Sequence, residues 1–193
     1  MYRVLRSKII GWRGKTLLAR SEPLLHECEP HWWLAQPLTK RPDRFRFYID
    51  GRGPRPDNYP CGSGIDMHSR RLVELLSAQG VRHEAFPADV IDARTGEGLG
   101  SDYMAFHLLE IHPAVDHRRS DLTYDGDGAD RAVIRAVRRL VLTEECLRAG
   151  RPMFRPAELF GLVLVHERLV AVMEDHGITG NVYTPLEQFR VGG

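Results

Sequence analysis

The stretch VHERLVAVMEDHGITG, residues 165–180, opens on His-Glu as a zinc-protease helix does. That chemistry needs a second histidine four residues after the first, because only this spacing projects both imidazoles onto one metal. Val170 stands there, and His176 lies ten residues from His166. The protease reading fails. In LLHECEPHWW, His26, Cys28 and His31 are acceptable zinc ligands by type. A closed site wants a fourth ligand; no second Cys/His pair at finger-like spacing follows, which leaves only a distant Cys61. Incidental surface and core residues are the favoured account of all three. TYDGDGAD resembles a calcium loop, but with Gly128 at the glycine position the first ligand is Thr123 and the twelfth is Ile134. The register does not fit, and an acidic turn is expected. CGSG at residues 61–64 precedes a helix and offers amides to an anion, against the plainer reading of a turn leading into a capped helix. No nucleophile elbow, phosphate loop or dinucleotide fingerprint occurs.

Helices and strands must position whatever chemistry exists. Leu72, Leu75 and Leu76 recur at helical spacing, with Ile65 on a similar bearing. Asp66 or Ser69 can cap that helix, and Gly80 can end it. FRFYI alternates Phe45, Phe47 and Ile49 with polar residues and is predicted to be a strand buried on one face. GRGPRPDNYPCGSG, residues 51–64, is predicted to be a long irregular loop, since closely spaced Pro and Gly deny ladder hydrogen bonds. One or two strands are expected in residues 2–18, and a strand from Val81 through VIDA. ADVIDARTGEGLGSDYMAFHLLEI is expected to fold as a hairpin. The polar residues 113–130 are expected to be loop, AVRRLVL a strand with the preceding ADRAVIRAV able to run helical, and PMFRPAELFGLVLV two extended pieces broken at Pro156.

Aligned on Arg-Leu-Val, RLVELLSAQGVRHEAF (71–86) matches RLVAVMEDHGITGNVY (168–183). Leu72 falls on Leu169, Leu76 on Met173, Gly80 on Gly177, Val81 on Ile178 and Phe86 on Tyr183. Each copy predicts a short amphipathic helix, a glycine stop and a strand bearing an aromatic residue. Val165, Leu169, Val172 and Met173 form the predicted inward stripe of the second. The expected fold is therefore α+β: a mixed, mostly antiparallel sheet carrying helices at about 67–79 and 166–176, both on one shared sheet. Residues 1–60 are expected to belong to the same domain as residues 61–190.

The 193 residues suffice for one domain with a sizeable core. Three widely spaced cysteines, Cys28, Cys61 and Cys146, argue against a disulfide framework and for a reducing compartment. No signal-peptide pattern or membrane-length apolar run occurs, so the expected location is cytoplasmic. Net charge is +1, but residues 1–60 hold twelve Lys/Arg against six Asp/Glu, and residues 101–130 hold two against seven. An evenly basic nucleic-acid binder would not be patterned this way. Alternating patches suit a protein partner of complementary charge, or are simply solvated surface. The candidate partner-contacting residues are Trp32, Trp33, Asp116, Asp125 and Asp127. On an extended segment, adjacent tryptophans face opposite ways, leaving one exposed as an anchor; burial of both is the alternative. No cofactor is implied.

The order of IDMHSRRLVELLSAQGVRHEAFPADVID, YMAFHLLEI, AVDHRRS, RRLVL, PMFR and HERLVAVMEDHGITGNVYTPL is similar to that of the immunity protein family numbered eleven of bacterial polymorphic toxin systems, formerly a domain of unknown function. The similarity covers about residues 60–188, with a weaker echo in the N-terminal strands. Its motifs are short and apolar, so specificity resides in their order. The family's late segment places a serine before the helix where this chain has His166, which removes the usual side-chain cap. The resemblance implies a small cytosolic protein that binds and neutralises a cognate toxin without nucleic acid, membrane or catalytic residues, with homodimerisation left open. The alternative is a small enzyme or metalloprotein of unknown reaction.

Overall fold

The computed structural model describes residues 1–7, 10–12, 15–62, 64–125, 133–159 and 161–192. Strands β1 (Tyr2–Ser7), β2 (Ile10–Trp12), β3 (Lys15–Leu17), β4 (Arg20–Glu22), β5 (Phe45–Ile49), β6 (Asn58–Tyr59) and β7 (Asp66–Ser69) precede helix α1 (Arg70–Ala78). Then come β8 (His83–Asp92), β9 (Gly98–Gly100), β10 (Tyr103–Leu108), β11 (Ile111–His112), β12 (Asp121–Asp125) and β13 (Val133–Arg139). Helix α2 (Glu144–Ala149), β14 (Met153–Pro156), β15 (Val163–His166), helix α3 (Glu167–Asp175) and β16 (Asn181–Pro185) complete the chain. The fold is α+β, and strand predominates. Contacts divide it into two compact units. One comprises Met1–Arg6, Ile111–Val172 and Val182–Gly193; the other comprises Ser7–Glu110 and Met173–Asn181, so residue 60 lies inside a unit.

In the second unit, strands run β4-β5-β8-β10-β7-β6, with β9 added to β8. The expected hairpin forms only in part: β8 and β10 are antiparallel, but their ladder runs through residues 83–87, ahead of the predicted arm, whose Val90 and Ile91 pair with Gly100 and Gly98 of β9. FRFYI buries Phe45, Phe47 and Ile49, and β5 runs parallel to β8. The stretch 51–64 departs from its prediction. Asn58 and Tyr59 pair with β7, and residues 56–60 are buried. Nor does CGSG abut a helix, because β7 intervenes.

In the first unit, strands run β11-β14-β15-β1-β16, and β12 and β13 form a separate ribbon. Residues 121–125, predicted as loop from their polarity, are therefore strand. Val137 of this ribbon belongs to the unit's core, and the partly buried Leu122 and Ile134 pack against that core. Helix α2 went unpredicted because six residues are too few to show a period. Its ends were nonetheless written in the sequence. The Thr143 side chain accepts from the Cys146 amide at 3.2 Å, and Gly150 takes the left-handed conformation (φ 58°).

The two aligned segments adopt matching local structures: strand, helix, glycine stop, strand. Leu72, Val73 and Leu76 are buried in one copy and Leu169, Val170 and Met173 in the other. Val73 rather than Leu75 thus completes the buried α1 stripe and Val170 rather than Val172 that of α3, while Val165 belongs to β15. The stops agree bond for bond. Val81 N–H donates to Leu76 O at 3.0 Å, and Ile178 N–H to Met173 O at 2.9 Å, each across a left-handed glycine, Gly80 or Gly177. The helices do not share a sheet, however: β7 and β8 flank α1 in the seven-stranded sheet, and β15 and β16 flank α3 in the five-stranded one. Periodicity requires a sheet under each helix but does not say whether it is the same sheet. Helix α1 begins at Arg70 rather than near 67 because residues 66–69 are taken by the ladder with β10.

Ser69 caps α1 by accepting from Leu72 N–H at 3.2 Å. At the matching position, His166 Nδ1 accepts from Arg168 N–H at 3.2 Å, so an imidazole takes over the role of the absent hydroxyl. Burial, with the nearby N-terminus and Arg168, holds the His166 pKa below its ordinary value and favours the neutral acceptor form. We expect His166→Ala to cost about 1 kcal/mol in urea unfolding, the usual cost of a lost cap. Leu169→Asp, which places a carboxylate where the wild-type side chain is buried, should leave no soluble folded protein on size exclusion.

Candidate functional site

Asp57 lies in the Pro/Gly-rich stretch between β5 and β7, its side chain only 8% exposed. Burying a carboxylate there is tolerable because five donors meet it. Oδ1 accepts from Ser69 Oγ at 2.6 Å and Arg71 Nε at 2.8 Å. Oδ2 accepts from Arg71 Nη2 at 2.7 Å and from the amide and hydroxyl of Thr179, each at 2.9 Å. Ser69 and Arg71 stand at the start of α1, whereas Thr179 follows the glycine stop of α3. The second Arg71 Nη2 contact, to Gly177 O at 2.9 Å, reinforces the same link. One carboxylate thus ties the head of one helix to the tail of the other.

The backbone contacts are equally close. Asp57 O accepts from Ser69 N–H at 2.7 Å, and Asn58 N–H donates to Thr179 O at 3.0 Å. Gly180 makes this approach possible: it has φ 88°, and a β-carbon there would collide with Asn58 O and lie 2.7 Å from Pro56 Cβ. Burial by itself would raise the Asp57 pKa. The Arg71 guanidinium, the Ser69 hydroxyl and the Thr179 amide and hydroxyl outweigh it and hold the carboxyl well below the ordinary carboxylate range.

Beside this junction is a cleft of about 230 Å³. Val90, Leu99 and Tyr103 give it an apolar floor, while Arg55, Ser69 and Asp102 supply polar edges. Tyr103 OH donates to Pro56 O at 2.8 Å, and burial pushes its pKa up, so the phenol stays protonated. Ser69 Oγ is engaged twice, donating to Asp57 and accepting from Leu72 N–H. Arg55 reaches Leu99 O at 2.9 Å through Nη1 and remains exposed, as does Asp102. This arrangement can recognise a small apolar group flanked by charges.

The residues singled out from sequence do not gather here. Trp32 is fully buried, with Phe45 and Phe86 at its edges and His107 against its ring at 4.4 Å, so it cannot anchor a partner. Its segment is a 3-10 turn, Trp32–Leu34, which removes the premise of opposite faces. The Trp32 carbonyl accepts from His107 Nε2 at 3.0 Å; the other ring nitrogen lies 3.4 Å from Glu84, which also accepts from Leu38 N–H. The Trp33 side chain and Asp127 lie outside the described residues. Asp116 turns inward on its own loop, accepting from the amides of Arg118 and Arg119 at 3.1 Å each. Asp125 is exposed and paired with Arg135 at 3.6 Å. His26 and His31 are exposed while Cys28 is buried, and among the described residues no three metal-binding side chains come together.

Sequence reasoning missed Asp57, Arg71, Thr179 and the cleft. The available signal was faint: an acidic residue amid Pro and Tyr, and a second glycine, Gly180, after a helix already ended by Gly177. No protein-family model matches the chain, and no curated protein matches it. No helix among the described residues is long and apolar enough to cross a membrane.

Because the folded-state pKa of Asp57 lies below the unfolded value of about 3.9, its contribution is complete above that pH and is lost as pH falls towards the folded value. Asp57→Asn should therefore cost about 3 kcal/mol at neutral pH, where the lost charge leaves buried donors poorly satisfied. Urea titrations of both proteins from pH 7 to pH 2.5 should show the difference shrinking only below about pH 4. A gap that stays constant through the acid range would show that the carboxylate charge is not what stabilises the junction.

Proposed function

We propose that this protein is an immunity protein, a cytoplasmic binder that neutralises a cognate bacterial toxin by surface fit rather than by bond-making chemistry. One observation carries the reading. Around the cleft, the buried carboxylate and both hydroxyls are committed to holding the fold: Asp57 to five donors, Ser69 to Asp57 and Leu72, Tyr103 to Pro56. What remains directed outward is Arg55 and Asp102 beside an apolar floor, and such pockets take an anchoring side chain of a partner. The uneven charge along the chain supports the same reading, since complementary patches set encounter rate and specificity. So does the resemblance, in the order of its short motifs, to that immunity family.

Co-expression with a toxin encoded in a neighbouring reading frame tests it. Wild type should restore growth and elute with the toxin as one complex. Exchanging the rim charges, Arg55→Glu with Asp102→Arg, should abolish rescue while the thermal midpoint changes little. Failure of the wild type to rescue or to form a complex would refute the reading.

A further inference from the structure

We propose that the free edge of β12 is a docking site for an extended, basic strand of a partner protein, a proposal that rests on the binding role above and names the chemistry of the contact. Strand β12 pairs with β13 on one side only, and among the described residues its other edge has no sheet neighbour and no further backbone hydrogen bond. Other sheet edges are blunted, as soluble proteins require. The strands β2, β3, β4, β6, β9 and β11 are two or three residues long, and β16 ends in Pro185. The outer side of β13 is met at its middle by Val191, whose amide and carbonyl both bond Val137. That leaves β12, five residues without proline or glycine, as an open template.

Its side chains specify the occupant. Leu122 packs towards the unit's core, while Asp121, Thr123 and Asp125 are exposed, the pairing with β13 shifting register between Asp121 and Leu122 and between Thr123 and Tyr124. Asp121 has no ion pair among the described residues. Asp125 holds Arg135 at 3.6 Å, with both side chains more than half exposed, so that pair is weak and exchangeable. A second copy of this chain is a poor occupant. Antiparallel pairing of β12 with itself about Thr123 sets Asp121 opposite Asp125 twice, and parallel in-register pairing sets each aspartate against its twin. A strand with Lys or Arg four residues apart and a β-branched residue midway places a cation against each aspartate. It also fills the ladder. Tyr124, partly exposed and held by His117 Nδ1 at 2.8 Å from its hydroxyl, offers a ring to the partner's alternate residues.

The probe is a synthetic heptapeptide with lysine at its second and sixth positions and valine or threonine elsewhere, compared with its glutamate counterpart. With the full chain, the lysine peptide should slow hydrogen exchange of the amides in Asp121–Asp125, and the glutamate peptide should not. Asp121→Lys with Asp125→Lys should invert that preference, and removing either aspartate alone should cost about tenfold in affinity for the lysine peptide. Equal protection by both peptides, protection elsewhere only, or an unchanged preference in the double variant would overturn the proposal. The toxin assay separates the two ideas: if the double variant still rescues growth as wild type does, the docking edge is wrong and the immunity role stands. If wild type itself fails to rescue, the immunity role falls, while the peptide result still decides the edge.

Discussion

A buried carboxylate must be compensated, and the organisation of the second unit follows from how Asp57 is. Its five donors come from the start of α1 and from the turn after α3, segments more than a hundred residues apart in sequence. No donor is decorative: Ser69 also caps α1, Arg71 also bonds Gly177, and Thr179 also accepts from the Asp57 amide at 3.2 Å. The stretch carrying Asp57 is thereby converted from a loop into a buried strap. Gly180 is the steric condition for that contact, because any β-carbon there meets the strap's backbone.

This junction also fixes the walls of the cleft beside it. The hydroxyls of Ser69 and Tyr103 and the Asp57 carboxylate are spent internally, and spending them keeps the walls of the cleft in place. Preorganised walls reduce what a partner must pay in ordering on binding. The ribbon of β12 and β13 is a different kind of surface. There the exposed groups are a row of backbone donors and acceptors with carboxylates along it, which suits a partner that completes a ladder.

The two strand–helix–strand copies show how local chemistry can repeat while its surroundings differ. The same buried triad and the same glycine-spanning hydrogen bond recur, although the flanking strands enter different sheets. The N-terminal caps diverge. A serine hydroxyl serves in one copy and a neutral imidazole in the other, and the serine also donates to the buried Asp57 carboxylate while it caps.

Read alone, the sequence determined what depends on neighbours within a turn or a strand: the helix stops at Gly80 and Gly177, the alternating burial in FRFYI, and the α+β class. These are short-range, since periodicity and backbone freedom act over a few residues. The tertiary structure alone decided that Asp57 is a hub, that Trp32 is core, that the copies lie in separate sheets, and that polar residues 121–125 form a strand. Each turns on a partner far along the chain, and a residue's own type is silent about which distant donor or ladder will meet it.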